Sequence, residues 1–94
     1  MMALHSRPAL TRKARLRFDR ISGEYLLLSP ERGLVLNGSA GLIVRLCTGL
    51  NTLGMIVDHL TTVHPDCPRT LLSQDLREFL HELKNRGLIH EAGS

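Results

Sequence analysis

The residues best suited to metal chemistry are His59, His64 and Cys67, in the second half of the chain. A zinc site needs four ligands, or three ligands and an open position. His59 and His64 are five residues apart, so on a helix they do not project in the same direction. Asp66 is the neighbouring carboxylate that could be recruited, and the set remains a weak match. The sequence therefore predicts no metal site.

Side chains for covalent or acid–base catalysis are also few. The chain contains no GxSxG, no phosphate-binding glycine loop and no HExxH. Glu78 and Glu82 lie one helical turn apart, as paired carboxylates can. The basic residues Arg77 and Lys84 alternate with them, which is typical of a solvated helix face. We therefore expect a protein that is not an enzyme and that uses no cofactor.

The two cysteines, Cys47 and Cys67, lie far apart and form no CxxC pair. Cys47 falls within an apolar helical pattern, which predicts a buried and inert thiol. The first ten residues lack the continuous apolar stretch of a secretory signal, and no run approaches the roughly 18 apolar residues of a spanning helix. We expect a cytoplasmic protein without a membrane partner.

A chain of 94 residues has room for one domain. Its hydrophobic fraction of 43% is sufficient for a core, but only Phe18, Tyr25 and Phe79 are aromatic. The positive charge is concentrated at the start, where residues 1–20 carry six basic side chains and one acidic side chain. We predict that residues 1–14 form a basic arm, which can be flexible, and that residues 91–94 form a tail. Such an arm can attract an acidic peptide, a nucleic acid or an acidic enzyme surface.

Three short strands are predicted between the arm and the helices, over residues 15–21, 24–29 and 34–36. A two-residue turn at Ser22 and a four-residue turn after Ser29 place Phe18 opposite Leu27 and Leu27 opposite Leu36. The face assigned to the core then contains Leu16, Phe18, Tyr25, Leu27, Leu34 and Leu36. Leu26, Leu28 and Val35 fall on the other face, so either the arm or a partner must cover them.

Three helices follow the strands. Ser39 is the expected N-cap of a first helix that ends near Gly49, and Thr52 is the expected N-cap of a second helix. The inward residues are predicted to be Ile43, Leu46, Cys47 and Leu50 in the first helix and Leu53, Ile56, Val57, Leu60 and Val63 in the second. The third helix spans residues 70–86, with Leu72, Leu76, Phe79, Leu80 and Leu83 on one side. The fold class is α+β, an N-terminal three-stranded antiparallel sheet followed by three helices, with a winged-helix-like shape.

The third predicted strand has an undefended edge, because Leu34, Val35 and Leu36 include no proline and no charge. Addition of a peptide strand to such an edge is an established mode of recognition. Two alternatives stay open: the third helix covers the edge, or two copies of the chain pair through it as a homodimer.

A DNA-binding protein is the alternative from another functional class, since three helices beside a small sheet resemble a winged helix. The third helix carries three acidic and three basic residues over residues 70–86, whereas a helix that enters a DNA groove is normally biased toward positive charge. The hairpin also precedes the helices here, and a DNA-reading wing usually follows them. We therefore do not expect nucleic acid as a partner.

Over residues 8–90 the sequence resembles the PqqD family of pyrroloquinoline quinone (PQQ) biosynthesis. The motifs that carry the resemblance are LSPE at 28–31, LN at 36–37 with SA at 39–40, DL at 75–76 and GLI at 87–89. Two positions depart from the family pattern, Thr48 and Met55, where acidic residues are usual. Both lie in the first two helices, so they bear on enzyme contacts more than on a peptide site.

The resemblance implies a peptide chaperone, which is a recognition element for ribosomally synthesised and post-translationally modified peptides (RiPPs). It implies that residues 15–90 bind a PqqA-type precursor peptide as an added strand and present it to a PqqE-type radical-SAM enzyme. Carried over to this chain, the binding strand is Leu34, Val35 and Leu36. The groove wall would come from the third helix, with the candidates Leu71, Gln74, Asp75, Glu78 and Phe79.

Overall fold

Five short strands and three helices make up residues 2–93, which are the residues that this computed structural model describes. In chain order the elements are β1 (Arg7–Leu10), β2 (Arg15–Asp19), β3 (Glu24–Leu28), β4 (Gly33–Leu36), α1 (Ser39–Arg45), α2 (Leu53–Val63), α3 (Arg69–Asn85) and β5 (Ile89–Ala92). The predicted α+β class is confirmed. The number of sheets differs, because β2, β3 and β4 form one antiparallel sheet while β1 and β5 form a second.

The second sheet joins the two ends of the chain. Arg7 pairs with Ala92 and Leu10 pairs with Ile89. The other edge of β1 bonds to residues 47–49, through Leu10 N–H to the Cys47 carbonyl at 3.2 Å and Gly49 N–H to the Pro8 carbonyl at 2.9 Å. Residues 7–10 of the predicted basic arm therefore form β1, and residues 91–92 of the predicted tail belong to β5.

The three-stranded sheet has a register that differs by two residues from the prediction. Phe18 pairs with Tyr25, and Leu27 pairs with Leu34. The first turn holds four residues instead of two, because the Asp19 carboxylate accepts hydrogen bonds from Ile21 N–H at 3.1 Å and from the Ser22 hydroxyl at 2.9 Å. A shift of two residues keeps each side chain on its predicted face, since side chains alternate along a strand.

The inner face of this sheet contributes unevenly to the core. Leu27 and Leu36 are buried, and Leu16, Tyr25 and Leu34 pack against the core in part. Phe18 was predicted to be in the core but is 48% exposed, with its ring tilted against Tyr25 at a centroid distance of 5.0 Å. The reason is that β2 is an edge strand, so Phe18 extends beyond the helices that cover β3 and β4.

Helix α1 is shorter than predicted and begins differently. Its N-cap is Gly38, and Ser39 is the first helical residue. The helix ends at Arg45 and not near Gly49, because residues 47–49 leave it to bond with β1. Leu50, predicted to face inward, is consequently 78% exposed.

Helix α2 begins as predicted, with Thr52 as its N-cap. The Thr52 hydroxyl accepts a hydrogen bond from Met55 N–H at 3.1 Å. Leu53, Ile56, Val57 and Leu60 are buried, as predicted. Val63 was predicted to face inward but is 54% exposed, because it is the last residue of the helix and the chain then turns away.

Replacing Thr52 with alanine is expected to lower the free energy of unfolding by about 1 kcal/mol, since one N-terminal N–H of α2 then loses its partner. Urea denaturation measures this loss. Thr62→Ala is the matched control, because the Thr62 hydroxyl donates to the Asp58 carbonyl inside the same helix and caps nothing. Equal losses for the two variants would contradict the capping role.

Helix α3 directs four leucines into the core, Leu72, Leu76, Leu80 and Leu83. It ends in a Schellman motif, in which Gly87 N–H donates to the Lys84 carbonyl and Leu88 N–H donates to the Leu83 carbonyl, each at 2.9 Å. Gly87 adopts a φ of 72°, a conformation that favours glycine. This sharp reversal buries Leu88 and starts β5 at Ile89.

Candidate binding groove

The outer edge of β4 presents free backbone groups. Ser29 N–H donates to the Arg32 carbonyl at 2.9 Å, which makes these residues a hydrogen-bonded pair of the β3–β4 ladder. Such pairs alternate along an antiparallel ladder. The N–H and C=O of Leu34 and Leu36 therefore point toward β3, whereas those of Val35 point outward. β4 is the last strand of its sheet, so in the described chain no further strand takes these groups.

A cavity of about 410 Å³, the turn cavity, lies between the β3–β4 turn and the C-terminal end of α3. Leu34 and Leu88 supply its apolar walls, and Arg32 and Arg86 line it as well. The Arg86 guanidinium is held by Glu82, with 2.9 Å between Nε and Oε1. Arg32 makes no ion pair in the described chain, and Glu31 is the one acidic residue in the lining of this cavity.

A second cavity of about 380 Å³, the upper cavity, lies between the beginning of α1 and the first half of α3. Its walls are mainly apolar, with Ile43 from α1 and Leu76 and Phe79 from α3. Polar groups lie at the margin, where the Ser39 hydroxyl and His64 Nε2 are 2.6 Å apart. This bond joins the start of α1 to the end of α2.

Both cavities open on the same side of α3. Asp75 and Phe79 line the upper cavity, and Arg86 lines the turn cavity. Steps of four and seven residues place these three on one side of a helix with 3.6 residues per turn. We call this side of α3 with its two cavities, together with the free edge of β4, the groove; Leu34 of β4 lines the turn cavity.

The structure separates the residues that the sequence predicts for the site. Leu34 lines the turn cavity, Val35 is half exposed, and the side chain of Leu36 is buried in the core. From α3, Asp75 and Phe79 line the upper cavity.

The remaining three candidates lie elsewhere on α3. Gln74 and Glu78 line a separate cavity of about 490 Å³ together with Leu4, and Leu71 is 46% exposed. Sequence reasoning missed Arg86, Arg32 and Ile43 as groove residues. Continuing the helical steps from Asp75 through Phe79 would have reached Arg86.

The groups considered for metal chemistry do not converge. Among residues 2–93 there is no cluster of three or more histidine, cysteine or acidic side chains that could hold a metal ion. His64 instead contacts Ser39. Burial raises the pKa of the Cys47 thiol to about 12, and Cys47 donates to the Ile43 carbonyl. Its thiol therefore stays protonated at neutral pH and is a poor nucleophile.

Helix α3 offers little free positive charge. Of its three basic residues, Lys84 lies 2.7 Å from Glu91 and Arg69 lies 2.7 Å from Asp58, so two already have acidic partners. Arg86, which follows the helix, is paired with Glu82. Phosphate contacts dominate affinity for DNA, and this helix is poorly suited to supply them. The helices of the described chain also include none that is long and apolar enough to cross a bilayer.

Comparisons with known proteins agree on one family. A family model described as coenzyme PQQ synthesis protein D (PqqD) matches residues 24–89. A PqqA binding protein of Rhodopseudomonas palustris (strain BisB5) is 37% identical over 87 residues, which cover 93% of this chain and 84% of that protein. A PqqA binding protein of Acinetobacter baylyi is 35% identical over 86 residues, covering 92% of this chain and 85% of that protein.

A solved structure extends this agreement to the fold. The solution NMR structure of the PqqD truncation of Methylobacterium extorquens PqqCD aligns with a TM-score of 0.77 and 28% identity, over 96% of this chain and 95% of that chain. That domain is described as a functional, stand-alone RiPP recognition element.

Proposed function

Since the chain belongs to the PqqD family, we propose that it is a non-catalytic peptide chaperone that binds a PqqA-type precursor peptide by adding it as a strand to β4. The chaperone then presents the peptide to a PqqE-type radical-SAM enzyme. The observation that carries the proposal is the outward N–H and C=O of Val35, on a strand whose neighbouring residue Leu34 lines the turn cavity. Because a PqqA-type peptide would be made on ribosomes, we also propose a cytoplasmic location for the chain.

Strand addition would use both the free edge of β4 and the two cavities beside α3. A strand paired with β4 exchanges two hydrogen bonds with Val35, and each contributes about 0.5–1.5 kcal/mol net. Alternate side chains of the added strand, about 7 Å apart, project toward α3. They would enter the upper cavity beside Phe79 and the turn cavity beside Leu34.

The walls of the groove indicate which peptide side chains it accepts. Ile43, Leu76 and Phe79 favour an apolar side chain in the upper cavity. At the turn cavity the two guanidinium groups of Arg32 and Arg86 outnumber the one carboxylate, Glu31, and so favour an acidic side chain. Affinity should therefore come from strand pairing and apolar burial, with one charged contact that sets the position of the peptide.

The test is an NMR titration of the isotope-labelled chain with a synthetic PqqA-type peptide. We expect the largest amide shifts at residues 33–36 and on the side of α3 that carries Asp75 and Phe79. Gln74 and Glu78 face a different cavity and should shift less. Shifts confined to α1, with β4 and α3 unchanged, would contradict strand addition.

Cys67 provides a second readout of the same binding event. It is partly exposed and lines the upper cavity, whereas Cys47 is buried. Bound peptide should slow the alkylation of Cys67 by a thiol reagent in the native state. Cys47 is the internal control, because it should resist alkylation with and without peptide. Unchanged labelling of Cys67 at saturating peptide would place the peptide outside the upper cavity.

A further inference from the structure

The face of the three-stranded sheet opposite the helices, here the outer face, is apolar at its centre. In register across it lie Arg17, Leu26 and Val35, with Leu28 beside them. The sequence predicts that either the N-terminal arm or a partner covers these side chains. The structure places Arg7–Leu10 in the other sheet, paired with β5. The arm therefore does not form a strand over this face.

The outer face remains open in the described chain. A shallow depression of about 510 Å³ over it is lined only by residues of β2, β3 and the turn between them. Val35 is 50% exposed, and Ile21 in the turn is 98% exposed. Apolar side chains grouped in this way on a small domain mark an interaction surface more often than single exposed residues do.

Positive charge borders the apolar centre on one side. Arg15 pairs in register with Leu28, and Arg17 pairs with Leu26, so both arginines lie next to a leucine on the same face of the sheet. Neither arginine belongs to an ion pair within residues 2–93. Asp19, which lines the same depression, and its register partner Glu24 place two carboxylates at the end of this face next to the first turn. Hydrogen bonds from Ser22 and Ile21 lower the pKa of the Asp19 carboxyl group, so it stays ionised.

Arginines beside the apolar centre and carboxylates at one end fit a partner surface with an apolar centre and with rim carboxylates that meet Arg15 and Arg17, away from Asp19 and Glu24. Complementary rim charges of this kind set specificity and the rate of association.

The outer face is continuous with the free edge of β4. Val35 belongs to both, because its side chain lies on the outer face while its N–H and C=O point outward along the edge. In a strand added to β4, every second side chain projects onto the outer face beside Val35. A bound peptide would thus extend this face by one strand, and a partner that sits there would contact peptide and chaperone together.

We propose that the outer face docks an acidic-rimmed, apolar surface of the peptide-modifying enzyme, which reads the outward side chains of the bound peptide at the same time. The choice of the enzyme as partner rests on the proposed function, but docking on Leu26 and Arg17 does not require that the peptide adds to β4. The two claims can therefore fail separately.

The experiment compares Arg17→Glu and Leu26→Gln with the wild-type chain. The probe is the PqqE-type enzyme of the same organism, with and without a PqqA-type peptide. Each variant should weaken binding of the enzyme about tenfold, because each removes a contact at the centre or rim of the interface. Added salt should weaken the wild-type complex and have less effect on the Arg17→Glu complex. Peptide affinity should stay within about twofold, since neither side chain lies in the groove.

Arg12→Glu is the matched control, because it makes the same charge change at an exposed residue between β1 and β2. It should leave the enzyme affinity unchanged, and amide spectra of all variants establish that they are folded. Wild-type affinity in both outer-face variants, or no enzyme binding by the wild-type chain, would overturn the docking surface.

Two other outcomes are also decisive. If the peptide does not bind but enzyme affinity still depends on Arg17, strand addition fails and the docking surface stands. If the wild-type chain is a dimer that Leu26→Gln dissociates, the outer face is an interface between two copies and the proposal is overturned.

Discussion

Val35→Pro is expected to weaken the binding of a PqqA-type peptide about tenfold while the domain remains folded, a loss of about 1.4 kcal/mol. Proline removes the outward N–H of Val35, and with it one hydrogen bond to the added strand. Its ring also occupies the space that the partner backbone would approach. The β3–β4 ladder does not use this N–H, because Val35 and Leu26 form a non-hydrogen-bonded pair.

Leu34→Pro is the matched control for this variant, one residue away on the same strand. The N–H of Leu34 points toward β3, so proline there breaks the ladder and should destabilise the domain. Fluorescence anisotropy with a labelled peptide measures affinity, and circular dichroism with urea measures folding. A folded Val35→Pro variant with wild-type affinity would rule out pairing at the outward groups of β4.

Local patterns predicted most of the elements correctly, and long-range contacts account for the differences. The alternation of apolar residues predicted the faces of β2, β3 and β4. Residue types alone predicted the helix cap at Thr52 and the chain reversal at Gly87. Strand β1 was not predicted, because four residues that include Pro8 carry no clear alternation. Their partner β5 lies at the other end of the chain. The same contact ends α1 early, since residues 47–49 pair with β1.

The register of the first hairpin shows a limit of turn signals. Ser22 and Gly23 fit a two-residue turn, yet the chain forms a four-residue turn. Hydrogen bonds from the Asp19 side chain decide between the two turns, and their strength depends on geometry that residue types alone do not contain. The side chains of these strands lie on their predicted faces because the register changed by an even number of residues.

The candidate site was predictable on the strand and only in part on the helix. The free edge of β4 follows from the order of three strands and the absence of proline and charge. On α3 the period of the leucines reveals the buried stripe, but it does not reveal which flank of that stripe borders β4. Asp75 and Phe79 lie on the flank that lines the upper cavity, while Gln74 and Glu78 do not. Only the packing of the sheet against the helices decides this.

Leu80→Ala is expected to produce the largest loss of stability, about 3 kcal/mol of unfolding free energy, within the range measured for buried leucines. Leu80 is 0% exposed at the middle of α3, so its removal leaves a cavity that the surrounding core fills only in part. For a domain of this size that loss is a large share of the total, which is about 5–15 kcal/mol.

Leu71→Ala tests whether this loss comes from burial, because it makes the same substitution on the same helix at a side chain that is 46% exposed. It should change stability by no more than about 0.5 kcal/mol. Urea denaturation compares the unfolding free energies of the two variants, provided that both depend on urea concentration with the same slope. A loss below about 1 kcal/mol for Leu80→Ala would contradict a core centred on α3. The same core holds Phe79, which packs against it, at the upper cavity. Because the peptide stabilises only the folded chain, saturating peptide should raise the unfolding midpoint of Leu80→Ala toward that of the free wild-type protein.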